Sequence, residues 1–203
     1  MSAYRPEEFR AIRTAARRTF RSALLRIREN SHRLEAWRSG TVGSATPEWL
    51  PGEALDVLAR IGNVPQQPLK SGGMRAIFRY RAALGGTGSL HTWRRLYLSR
   101  KEAAALGVLI AAEFGLNATT TSELLVPRLV PGSGGSAGLI YRPSLEKRRR
   151  GSRSRFESRN INDHGADSAG RLLSEALEAT AHARAVLDAC AADADRLLAW
   201  HAP

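Results

Sequence analysis

Between Pro6 and Trp37 apolar side chains recur every three or four positions: Phe9, Ile12, Ala16, Phe20, Leu24, Ile27, Leu34 and Trp37. That period fits one face of an α-helix. It predicts one long helix, against which everything downstream must pack. Pro6 suits a first helical turn, Glu7 and Glu8 sit where the helix dipole favours negative charge, and Ser39-Gly40 end the pattern. A second stripe, Arg10, Arg13, Arg17, Arg21 and Arg28, follows the same helix. Up to residue 40 ten Arg stand against four Glu.

From Thr41 to Tyr97 the pattern is broken. Thr46-Pro47 marks a turn of helix near Trp49, and Glu53 to Ile61 reads as a short helix ended by Gly62-Asn63. Pro65 and Pro68 read as a connector, Met74 to Leu84 as another short helix, and Gly85, Gly86 and Gly88 as a loop. Ser99 and Glu102 then have the spacing of a capping box, in which each side chain satisfies a backbone N–H that the helix start leaves unpaired. Ala103, Leu106, Leu109, Ile110 and Phe114 supply the buried face, and Gly115 suits a left-handed stop. Asn117 to Leu125 predicts a further short helix, and Pro131 to Gly138 a Gly/Ser-rich turn. Leu139 to Leu145 and Phe156 to Ile161 predict a β-hairpin, with Pro143 restricting the first strand to an edge. Asp167 or Ser168 caps a last helix expected to reach about Trp200, with Leu173, Leu177, Thr180, Leu187, Ala194 and Leu198 as its apolar stripe. The fold class expected is therefore mainly α with a small β-hairpin.

Hydrophobic residues make up 43% and charged residues 25% of the 203, which is globular rather than disordered composition. No stretch approaches the 18 apolar residues of a membrane span, and no signal peptide is visible. The single cysteine, Cys190, excludes an internal disulfide and a cysteine-clustered zinc site; on its Ala-rich helix it is expected to be a small buried or half-buried residue. A reducing, cytoplasmic setting is expected, and neither a cofactor nor a metal. The net charge of +12 favours polyanionic partners, chiefly nucleic acid or an acidic membrane surface. Lysine occurs only at 70, 101 and 147, so part of the arginine excess reflects a GC-rich coding background, and where the charge lies matters more than its total.

The densest charge is Lys147, Arg148, Arg149, Arg150, Arg153 and Arg155. Arginine carries a permanently charged planar fork that suits phosphate oxygens. At the tip of a hairpin these residues are expected to follow a duplex backbone, without reading bases. The arginine stripe of the first helix has competing uses: pairing with the acidic last helix, facing water, or meeting DNA. The Gly85–Ser89 segment lacks the Lys-Ser/Thr ending of a phosphate-binding loop, the five histidines show no metal-ligand spacing, and His164 in Asn162-Asp163-His164-Gly165 reads as turn chemistry.

Four segments carry a family resemblance. LYLSRKEAAALGVLIAAEFGLNATTTSELLVP (96–127) resembles the opening of the catalytic domain of tyrosine recombinases, the phage integrase family, where a capped helix leads into a Gly-x-Arg turn and a second helix. IYRPSLEKRRRGSRSRFESRNI (140–161) resembles that family's β-hairpin, whose lysine contacts the scissile DNA; Lys147 matches it. DHGADSAGRLLSEALEATAHAR (163–184) and YRPEEFRAIRTAARRTFRSALLRIR (4–28) resemble the following helix and the preceding long helix of divergent actinobacterial members. The resemblance implies the front half of a recombinase catalytic domain. It also exposes departures. The family's first catalytic arginine falls on Asn117, no His-x-x-Arg follows residue 160, and the last tyrosine, Tyr141, lies upstream of the nucleophile's place. Without that tyrosine no covalent protein–DNA intermediate forms.

Two regions are expected: residues 1–98, a long basic helix and irregular connector, and residues 99–203, a partial recombinase-like core. The function this implies is that of a truncated or degenerate integrase-like protein, nucleoid-associated, binding DNA without sequence preference and without strand transfer, hence not an enzyme. The alternatives are a free-standing DNA- or RNA-binding accessory or regulatory protein of a mobile element, and a helical protein-interaction module. Self-association, or association with a complete recombinase, completes the expected partners.

Overall fold

The computed structural model describes residues 4–85, 89–130, 140–142, 144–147, 155–158, 161–163, 165, 168–190, 192 and 195–200. Its organising element is helix α1, Pro6–Arg38. The start is secured by the Arg5 backbone N–H donating to the Glu8 carboxylate at 2.9 Å, and Gly40 takes the left-handed conformation just beyond the end. Ala16, Phe20, Ala23, Leu24, Ile27 and Leu34 are buried along the expected stripe. Phe9 and Ile12 are not: they remain 44% and 38% exposed. The reason lies in the neighbouring helix α5, Arg100–Phe114, which runs antiparallel to α1 and covers it between Arg26, paired with Glu102, and Arg13, paired with Glu113. The first two turns of α1 extend past that cover.

Helix α2, Trp49–Ile61, ends in a left-handed Gly62. It approaches α1 closely at Gly52, where an added Cβ would sit 2.4 Å from Trp37 Cδ1. Trp37 in turn tilts against Trp49 at 5.2 Å between ring centroids. The expected connector and helix after Gly62 are corrected. Gln66–Pro68 (β1) and Met74–Ala76 (β2) pair as an antiparallel hairpin, and only Phe78–Leu84 (α3) is helical. Gly72 and Gly73, at φ +82° and +88°, let the intervening turn close, with the Leu69 N–H bonded to the Gly73 carbonyl at 3.0 Å. Helix α4, Ser89–Trp93, leads towards α5. The α5 capping box forms as expected: the Ser99 N–H donates to Glu102 at 2.8 Å, and Gly115 is left-handed at φ +65°. The next helix, α6, is short, Ala118–Ser122, capped by Asn117.

Arg128–Leu129 (β3), Ile140–Arg142 (β4) and Ile161–Asn162 (β7) make a three-stranded antiparallel sheet in the order β3-β4-β7. Ser144–Lys147 (β5) and Arg155–Ser158 (β6) form a separate two-stranded pair. The expected hairpin is thus present in two pieces. Helix α7, Ala169–Ala189, starts on Ser168, whose hydroxyl accepts the Arg171 N–H at 3.1 Å. It stops about eleven residues before the expected end at Trp200. The tail turns back and pairs with the segment after α6: the Val126 N–H bonds to Asp195 O at 2.7 Å and the Leu197 N–H to Leu124 O at 2.8 Å. This return buries Leu197 and Ala199, which a continued helix would have carried away from the core. Cys190, at the helix end and beyond the last buried residue of α7, Ala183, is exposed rather than half-buried.

Two apolar clusters result. One joins Ala16 to Ile27 of α1 with α5, Leu124, Tyr141, the first half of α7 and Leu197. The other joins Leu34 with α2, Ala76, Trp93, Leu96, Tyr97 and Ala183. Both α1 and α7 contribute to each.

Candidate nucleic-acid interface

The register Ser144↔Ser158, Leu145↔Glu157, Glu146↔Phe156, Lys147↔Arg155 puts two cationic residues at directly opposed positions at the end of the β5–β6 pair. Arg148, Arg149, Arg150 and Arg153 lie outside the described residues. Of the six candidate DNA-binding residues, the register therefore sets the backbones of Lys147 and Arg155 opposite each other.

The α1 arginines divide between partners and solvent. Arg28 forms a two-pronged pair with Glu178 of α7, both contacts 2.6 Å, and those hydrogen bonds raise its pKa. Arg13 reaches Glu113 at 2.7 Å. Pairing with the acidic last helix is thus realised at Arg28. Arg10, Arg18 and Arg21 are exposed and make no ion pair among the described residues. Arg13, Arg17 and Arg21 line a cleft of about 280 Å³ beside Phe20, with the carboxylates of Glu113 and Glu175 opposite. Among the described residues, two acidic groups against three arginines leave that cleft only weakly cationic.

A denser ionic centre lies where sequence reading saw only a helix cap. Glu102, 4% exposed, accepts Arg26 Nη1 at 2.8 Å, Arg26 Nη2 at 3.1 Å and Arg94 Nη2 at 2.7 Å, besides the Ser99 N–H. Burial alone would raise its pKa. The hydrogen bonds from Arg26, Ser99 and Arg94, with the Arg26 charge, overcome that and bring it down to about 2. Close by, Arg95 is partly buried: burial first, then the charges of Arg33 and Arg26, push its pKa down against the opposing pull of Glu29. Nothing in the spacing of Arg26, Arg94 and Glu102 announces this cluster, because three separate segments build it.

The residues that the recombinase resemblance singles out have structural work. Asn117 caps α6 by accepting the Thr120 N–H at 2.8 Å. Tyr141 is 5% exposed, and its hydroxyl lies 2.9 Å from Ser174 Oγ, which itself donates to Asp163 at 2.8 Å. Asp163 also accepts from the Gly165 N–H at 3.2 Å and Ser168 Oγ at 3.3 Å. Burial opposes ionisation of Asp163, and these hydrogen bonds outweigh it, so its pKa is lowered. The turn after β7 thus ties the sheet to the start of α7; His164 within it lies outside the described residues. His182 is mostly buried against α1, 2.8 Å from Ser31 Oγ, and burial with the nearby Arg38 charge lowers its pKa.

Among the described residues no group of three or more His, Cys, Asp or Glu is arranged to hold a metal ion, and no helix is long and apolar enough to cross a membrane. Compared with known protein families, curated proteins and solved structures, the chain matches none.

Proposed function

We propose that this protein binds duplex DNA through phosphate contacts, without reading sequence and without strand transfer, as an integrase-like protein of the nucleoid related to the front half of a tyrosine recombinase catalytic domain. The observation that supports it is the β5–β6 register. Lys147 and Arg155 occupy opposed positions, and Arg148, Arg149, Arg150 and Arg153 lie between them in sequence. Phosphate oxygens suit the lysine and arginine charges that the sequence concentrates at this end of the hairpin. The exposed Arg10, Arg18 and Arg21 of α1 add a second source of positive potential. Strand transfer is excluded from the reading because Asn117 cannot clamp a phosphate as arginine does, and Tyr141 is buried against Ser174.

The test is a four-site variant, Lys147→Ala with Arg148→Ala, Arg149→Ala and Arg150→Ala. Its affinity for unrelated duplexes falls by a common factor. Unchanged affinity removes the hairpin, and a tyrosine–phosphate adduct with any DNA overturns the inactive assignment. A second reading, a helical protein-interaction module, is favoured by Phe9 and Ile12, which continue the apolar stripe of α1 into solvent beside Arg10. Under that reading the parent chain binds no duplex at low salt.

A further inference from the structure

A groove of about 450 Å³, larger than the arginine-lined cleft, runs between α5, α6 and the C-terminal return. One wall is a helical row of small residues, Ala103, Gly107 and Ala111, with Val108 at its edge; Leu198 and Trp200 close the other side. Val108 and Trp200 remain 38% and 42% exposed, so apolar surface continues outward from the groove into water. The hydroxyls that line it are already used: Thr121 donates to Asn117 O at 2.8 Å and Ser122 to Thr119 O at 2.9 Å. Among the described residues no acidic one lines the groove. Among the described residues the single charged group on its rim is Arg100, which is exposed and has no ion-pair partner there.

We propose that this groove binds a small amphipathic carboxylate, its aliphatic chain along α5 and its carboxylate on Arg100. The volume lies within the range of small-molecule sites, and an apolar lining with one well-placed charge is their usual composition. Charge complementarity selects the acid: an apolar chain satisfies the apolar walls, and an anionic end satisfies Arg100. From Arg100 to Ala111 α5 rises about 16 Å, the reach of a medium-length unbranched chain. Gly107 sets the depth. At a helix centre glycine is less favourable than alanine, yet a Cβ here would meet only ordinary contacts, 3.6 Å to Leu198 Cδ1 and 3.7 Å to Thr121 Cγ2. Alanine would therefore fit the fold while filling the floor of the groove.

That separates loss of the site from loss of the fold. Calorimetric titration of the full chain, free of nucleic acid, with decanoate gives saturable one-to-one binding. Decanol binds about tenfold more weakly, the contribution of one charge-assisted contact. Arg100→Gln abolishes the preference for the acid. Gly107→Ala raises the urea midpoint and weakens decanoate binding, and Gly107→Leu weakens it more than tenfold with the helical circular dichroism intact. No saturable binding, equal binding of acid and alcohol by the parent chain, or full binding by a folded Gly107→Leu variant each overturns the proposal.

Discussion

Replacing Glu102 by glutamine tests the ionic centre that joins α1 to α5. The carboxylate is buried under two guanidinium groups, and its pKa drops from 4.5 to about 2. At about 1.36 kcal/mol per unit, that difference gives the ionised form about 3 kcal/mol of extra stability in the fold. Glutamine keeps the size and one acceptor, but leaves Arg26, whose side chain is 21% exposed, without a counter-charge. The expected loss at pH 7 is about 3 kcal/mol. The sign follows from the depressed pKa. The contribution is fully present above the unfolded value near 4.5 and disappears as pH falls from there toward 2. Parent and variant should therefore differ most at pH 7, less at pH 4 and little at pH 2. Urea unfolding followed by far-ultraviolet circular dichroism at those three pH values measures this. A difference below about 1 kcal/mol at pH 7, or one that persists unchanged to pH 2, would refute the reasoning; in the first case the cost of burying the charges would have cancelled their attraction.

Gly52→Ala forces a methyl group into the Trp37 side chain, whose Cδ1, Cγ and Cβ would lie 2.4 to 2.6 Å away. A loss of about 2–3 kcal/mol is expected in urea unfolding, with a changed near-ultraviolet signal from the Trp37–Trp49 pair; an unchanged midpoint would mean that α1 and α2 are not so closely seated. His182 has a lowered folded pKa, so below about pH 6.5 the unfolded chain takes up a proton that the fold resists, and stability falls on acidification from pH 7.5 to 5.5. His182→Gln should flatten that slope; an equal slope in both proteins would assign it to other groups.

Much of the helical frame was legible because its signals are local. The α1 stripe, the Ser99–Glu102 box, the left-handed Gly62 and Gly115 and the Ser168 cap each depend on residues within a turn or two of one another. The β1–β2 hairpin was missed although Ser71-Gly72-Gly73 is turn chemistry, because strands of three residues are too short to show alternation. The end of α7 was misplaced because Leu197 is drawn back by a backbone hydrogen bond to Leu124, a partner far away in sequence. Phe9 and Ile12 obey the helical period and still lie outside the core, since the period cannot say how far α5 extends. Of the candidate site, the paired strands that flank the arginine run were legible. The Arg26–Glu102–Arg94 cluster was not, because it is a product of tertiary packing.

The most direct test of the account is fluorescence anisotropy of a labelled random-sequence duplex, titrated with the purified chain from 50 to 200 mM salt. Six phosphate contacts from the hairpin predict a log–log slope of about −5 and roughly 10³-fold weaker binding across that range. The four-site hairpin variant should retain a slope near −2, from about two remaining contacts. Absence of binding at the lowest salt by a folded, helical chain would contradict the DNA-binding claim and leave the charge of α1 to a protein partner.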